Sequence, residues 1–133
     1  MHFMLDTNIC SYIIKNYSER LVTRFKETDI EQFSISSIVL GELWFGVVRS
    51  PNRAKIERFI EDFLRFIHVA PYPEKAAFHY GEIRHFLSSH GRLISGNDML
   101  IAAHAMAENA TLITNNTKEF SRIPGLKIEN WLE

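Results

Sequence analysis

Short apolar runs alternate with longer stretches of helical spacing along the chain. His2-Phe3-Met4-Leu5, Phe33-Ser34-Ile35-Ser36, Phe66-Ile67-His68-Val69 and Thr111-Leu112-Ile113-Thr114 are four such runs, and Leu126-Lys127-Ile128 is a weaker fifth. Their length and their β-branched or aromatic content predict strands. Residues 15–26 carry Leu21, Val22 and Phe25 on one helical face, and residues 53–66 repeat that spacing through Ile56, Phe59, Ile60, Phe63 and Leu64. Residues 74–90 do the same through Ala77, Tyr80, Ile83, Phe86 and Leu87, with Gly91 as the stop signal. Residues 37–49 are apolar nearly all round, with Glu42, Gly46 and Arg49 on one narrow strip. Residues 97–109 are almost wholly apolar and small, which predicts a buried central helix.

Strands separated by helices imply crossover connections, and hence an α/β fold with a mostly parallel sheet covered on both faces. Nothing resembling a repeat or linker divides residues 1–133, so one domain is expected. In such sheets ligands bind beyond the carboxyl ends of the strands. The polar residues that directly follow strands therefore carry the functional question.

Composition narrows the picture only a little. With 46% hydrophobic and 23% charged residues, the 133-residue chain can build a core without disulfides or structural metal. The single cysteine, Cys10, excludes an intrachain bridge and suits a reducing compartment, where it reads as a small buried hydrophobe. Asp6, Thr7 and Asn8 interrupt the N-terminus before a signal-peptide core can form, and the longest apolar stretch, 38–48, is short and contains Glu42. A soluble, cytoplasmic protein without a membrane partner is expected. The formal net charge of −1 lacks the basic excess usual in nucleic-acid binders. An acidic metal centre would, however, offset a basic rim in the sum.

Three acids stand where that chemistry would be sought. Asp6 follows the first strand and opens a helix through Thr7 and Asn8; taken singly, it is equally an N-cap. Glu42 is the one ionisable group among apolar neighbours in residues 38–48, although its strip could simply face solvent. Asp98 lies in the first turn of the apolar 97–109 helix, where acids also stabilise the dipole. Gathered in one cleft, the three would repel one another, and a hard divalent ion such as Mg²⁺ or Mn²⁺ would relieve that repulsion. Thr7, Asn8 and Thr114 are candidates to orient the ligands, though all three also suit caps and turns. Arg92, in the loop before Asp98, is a candidate phosphate contact, and Lys15, Arg20 and Arg24 could add to a basic rim.

The order Met4-Leu5-Asp6-Thr7-Asn8, Ser36-Ser37 with Glu42, Gly91-Arg92, Asn97-Asp98 with Ile101-Ala102-Ala103-His104-Ala105, then Leu112-Ile113-Thr114-Asn115-Asn116 with Glu119-Phe120 resembles PIN-domain ribonucleases. It is most similar to the VapC toxins of VapBC toxin–antitoxin modules, over essentially the whole chain. That resemblance implies a PIN-like three-layer α/β/α fold with a parallel five-stranded sheet. It further implies Mg²⁺ (or Mn²⁺) held by Asp6, Glu42 and Asp98. Water activated by the metal would then cleave RNA, in relatives often tRNA and in the enteric type initiator tRNA, leaving 5′-phosphate and 3′-hydroxyl ends. It implies as partners a VapB-type antitoxin, a second copy of the chain in a homodimer, and operator DNA reached only through the antitoxin. Trp44 and Phe45 are candidate antitoxin contacts, or else core residues. Asn116 stands where many PIN domains have a fourth acid; it supports the site without adding charge, and Glu119 is the nearest carboxylate to replace it.

Two other classes stay open. A PIN-like module could bind RNA or protein without cutting, a reading to which Asn116 lends itself and against which the three acids argue. A phosphatase with Asp6 as nucleophile would want a second Asp where this chain has Asn8. The histidines at 68, 79, 85, 90 and 104 share no motif for metal-free cleavage, and His104 reads as a core residue. No Cys/His spacing suggests zinc, and no glycine-rich phosphate loop is present.

Overall fold

In the computed structural model, which describes residues 2–133, five strands form one parallel sheet in the order β3-β2-β1-β4-β5. The strands are β1 (Phe3–Leu5), β2 (Phe33–Ser36), β3 (His68–Ala70), β4 (Thr111–Ile113) and β5 (Lys127–Glu129). Seven helices connect and cover them: α1 (Thr7–Ile14), α2 (Glu19–Glu27), α3 (Ser37–Val48), α4 (Arg53–Leu64), α5 (Glu74–Ser89), α6 (Gly96–Ala107) and α7 (Thr117–Phe120). Every residue of β1, β2 and β4 is buried. Successive strand side chains point to opposite faces, so these central strands are covered on both sides and the sheet is the middle of three layers. The edge strands β3 and β5 are only partly buried.

An aromatic cluster ties the first residues of β1 and β2 to α2 and the C-terminal segment. The rings of Phe3 and Phe33, which open β1 and β2, are paired across the sheet (Phe3↔Phe33). Phe25 packs on Phe33 at 4.7 Å, and Trp131 meets Phe3 edge-on at 5.0 Å. The Arg24 guanidinium lies 4.4 Å from the Trp131 ring and pairs with Glu129 at 3.1 Å. Arg24 thereby ties α2 to the C-terminal segment.

Boundaries moved where chain-reversal chemistry overrode periodicity. The helix expected over 15–26 begins at Glu19, because α1 ends at Ile14, Asn16 adopts a left-handed φ of 55° and the Ser18 hydroxyl caps the Leu21 N–H. The third strand starts at His68, not Phe66, because the N–H of Phe66 donates to the Phe63 carbonyl and closes the last turn of α4. Gly91 stops α5 as expected: at φ 64° it donates to the Ser88 carbonyl while the Arg92 N–H reaches Leu87. The central helix α6 is buried through Met99, Ile101, Ala102, Ala103, His104 and Ala105, and α5 packs along it. Among the described residues no helix is long and apolar enough to cross a membrane.

Candidate functional site

Strand order reverses at β1, with β2 on one side and β4 on the other, and the chain leaves all three strands at the same edge of the sheet. Such a switch point opens a crevice between the departing connections. Here it forms a cavity of roughly 700 Å³ whose walls include Asp6, Thr7, Asn8, Glu42, Asn97, Asp98 and Asn116. The three acids singled out from the sequence therefore share one cavity, although 92 residues separate Asp6 from Asp98.

Asp6 is 5% exposed and does two jobs. Its Oδ1 caps α1 by accepting from the Ile9 N–H at 2.9 Å, and its Oδ2 accepts from the Thr114 hydroxyl. Burial nevertheless pushes its pKa up to about 6, with the negative charges of Asp98 and Glu42 adding to the rise against the two hydrogen bonds. Glu42 sits one and a half turns into α3; Thr7 donates to its Oε1 and the Asn97 amide to its Oε2 at 3.1 Å. Asp98 is half-buried in the first turn of α6, and Ser95, not Asp98, is that helix's N-cap. Burial again raises the Asp98 carboxyl, and Glu42 and Glu119 push in the same direction. None of the three acids is in an ion pair among the described residues.

A cluster of mutually repelling, uncompensated carboxylates at a cavity wall lacks a positive charge. Asp6, Glu42 and Asp98 could hold a divalent ion, and oxygen donors of this kind fit Mg²⁺ or Mn²⁺. Among the described residues no three acid, imidazole or thiol groups are gathered tightly enough to cage an ion on their own. An open, acid-lined cavity suits Mg²⁺, which keeps several waters and takes few protein carboxylates directly.

The supporting residues divide. Thr7 and Thr114 each bond an acid; Thr114 is fully buried and also accepts from the Asn116 N–H at 2.9 Å. Thr114→Val is accordingly expected to weaken Mg²⁺ binding about 10–100-fold, with Thr114→Ser close to wild type, as isothermal titration would read. Asn8 lines the cavity without a side-chain bond to any acid, and Asn116 lines it as a neutral amide. Glu119 is outside the lining and is felt there only through its charge on Asp98.

Arg92 does not share this cavity. It is exposed in the loop after α5, and the guanidinium that lines the cavity is Arg49, at the end of α3. Lys15 lines an adjoining cavity, whereas Arg20 and Arg24 lie elsewhere on α2. Asn97 was missed, because an amide beside an acid in a first helical turn reads as capping chemistry. The helix over 37–49 is apolar nearly all round because one face exposes its apolar side chains: Phe45 is 64% exposed against the acid cavity, while Trp44 leans on the core. No histidine lines the cavity; His104 is fully buried, bonded through Nδ1 to Ser36 at 2.8 Å. Cys10 is likewise buried beneath Asp6.

The chain matches the PIN domain family over residues 3–126. It is 46% identical to ribonuclease VapC2 of Rickettsia felis, with 98% of each chain covered. It is 39% identical, at the same coverage, to the tRNA(fMet)-specific endonuclease VapC of Salmonella typhimurium. Among solved structures it is similar to VapBC2 of Rickettsia felis bound to a promoter DNA fragment, at a TM-score of 0.92 and 43% identity over 98% of this chain and 99% of that one. DNA-bound VapBC from Salmonella typhimurium gives the same TM-score at 39% identity, covering 98% of both.

Proposed function

This chain belongs to the PIN-domain family, and on that premise we propose that it is a VapC-type ribonuclease that hydrolyses RNA with the help of Mg²⁺ held by Asp6, Glu42 and Asp98. The observation that carries the reading is the meeting of three unpaired acids, two with raised pKa, in one cavity at the carboxyl edge of the sheet. A divalent ion bound there supplies Lewis-acid charge for the phosphodiester and lowers the pKa of water.

The chain's own residues set the geometry. Thr114 and the Ile9 N–H fix both oxygens of Asp6, and Thr7 and Asn97 fix both oxygens of Glu42, so the two carboxylates are held before substrate arrives. Arg49 offers the cavity's positive charge for a phosphate oxygen, its guanidinium resting 5.1 Å from the Phe45 ring. Attack of water on phosphorus, with the bond to the 3′ oxygen breaking, leaves a 5′-phosphate and a 3′-hydroxyl. The named tRNA(fMet) specificity of the Salmonella relative, at 39% identity, makes tRNA, initiator tRNA first, the substrate to try. The VapBC relatives, both bound to DNA, likewise support a VapB-type antitoxin as partner; we propose in addition a homodimer within that complex and DNA contact made through the antitoxin.

Purified protein incubated with total tRNA and Mg²⁺ is expected to give discrete fragments, and a chelator to stop them. The fragments should accept label at a 5′ end only after phosphatase treatment. Products ending in a 2′,3′-cyclic phosphate would overturn the hydrolytic reading and point to acid–base attack by the ribose 2′-hydroxyl. Binding without fragments would instead favour a non-cutting module.

A further inference from the structure

Beside the acid cavity lies a second one of about 390 Å³, between α1, α3 and α4. Resting on the ribonuclease reading above, we propose that this second cavity seats the nucleotide adjoining the cleaved bond, with Lys15, Arg49 and Lys55 holding its phosphate and the Phe59 ring taking its base.

The two cavities adjoin: Thr7, Asn8, Glu42 and Arg49 belong to the walls of both. Their charge is opposite. Three acids and one cation line the first, whereas three cations and Glu42 alone line the second. None of the three cations is in an ion pair among the described residues. In a chain with 15 basic and 16 acidic residues, that local excess is not a consequence of overall charge. An anionic polymer entering an acid-lined centre needs such a counter-surface to stay in register, since phosphate contacts position the strand.

The floor has the other half of a nucleotide's chemistry. Phe59 is 42% exposed, large for a phenylalanine, and the Lys55 ammonium lies 5.9 Å from its ring centroid. A phosphate on Lys55 would thus bring its own base within reach of the Phe59 face. Aromatic faces of this kind accept any base, as unstacked loop nucleotides require. The volume is of the order that small-ligand sites occupy. An amphipathic protein segment could meet the same floor, but it would not call for three free cations next to a phosphodiester-cleaving centre.

The test compares the unmodified protein with the Lys15→Ala/Lys55→Ala double variant and with Phe59→Ala, using unfractionated tRNA. Arg20→Ala, exposed on α2 outside both cavities, is the control. For the double variant KM is expected to rise about tenfold with little change in kcat, and the slope of log affinity against log salt to shrink by about 1.4. Phe59→Ala should raise KM and leave the salt slope alone. Binding in an Asp98→Asn background, where RNA is not consumed, reads affinity independently of turnover. Cleavage with unchanged KM and salt slope in the double variant would overturn this inference while sparing the ribonuclease reading, and would leave the groove to a protein segment. Neither cleavage nor RNA binding by the unmodified protein would overturn both.

Discussion

Asp98→Asn is expected to lower kcat/KM for RNA cleavage by about a thousandfold or more while the ion-free protein melts at the same temperature or higher. The two halves of that result come from one cause. Asp98 is raised by burial and by the charges of Glu42 and Glu119, so its ionised form is held at a cost to folding. An asparagine removes that repulsion along with the charge that would help hold the ion. Asp98 does not cap its helix, since the Ser95 hydroxyl does. What is lost structurally is a first-turn charge worth roughly 0.3–1 kcal/mol at the dipole, while the side-chain bond with Ser95 can pass to the asparagine oxygen. Stability sacrificed for a charged cleft is the pattern of a working site. A purely structural acid predicts the reverse pairing. Calorimetry showing a melting point several degrees lower, with cleavage intact, would refute the metal role of Asp98.

The same logic explains what could be read from the chain and what could not. Burial on both faces makes β1 a continuous apolar run, Phe3-Met4-Leu5, whereas β2 alternates Phe-Ser-Ile-Ser and buries its serines bonded to His2 and His104. The acids were visible only as three residues that local rules also explain, and the structure shows that those rules hold too: Asp6 does cap α1. Capping and site chemistry are not alternatives when one carboxylate has two oxygens facing different ways. Arg92 lies outside the acid cavity, because proximity in sequence to Asp98 says nothing of where a loop after Gly91 carries a side chain. Arg49 is 49 residues from Asp98 and reaches the cavity because α3 runs beside it. Asn97 escaped notice for a similar reason, its partner Glu42 being 55 residues away.

Asp6 also fixes how stability should depend on pH when no ion is bound. Its folded pKa is about 6 against an ordinary 3.8. Between those values the folded chain keeps a proton that the unfolded chain has released, so stability is greatest below pH 4 and falls as pH rises through 6. Two units correspond to about 3 kcal/mol. His2 and His104 act with the opposite sign: both are lowered by burial, so the unfolded chain takes up their protons first and stability falls as pH drops below about 6.5. Asp98, also raised by burial, adds to the Asp6 part. The net curve therefore mixes contributions of both signs, and the Asp6 part must be isolated by difference. Asp6→Asn keeps an N-cap of equal quality, and it should outmelt the native chain at pH 7.5 while matching it near pH 4. Saturating Mg²⁺ should reverse the ranking at pH 7.5, raising the native melting point on the order of 10 °C at a hundredfold excess over Kd and the variant's far less. At pH 5 the gain should shrink, because the ion must then displace the proton that Asp6 retains. An Mg²⁺ shift equal in both proteins, or independent of pH, would remove Asp6 from the ion's ligands.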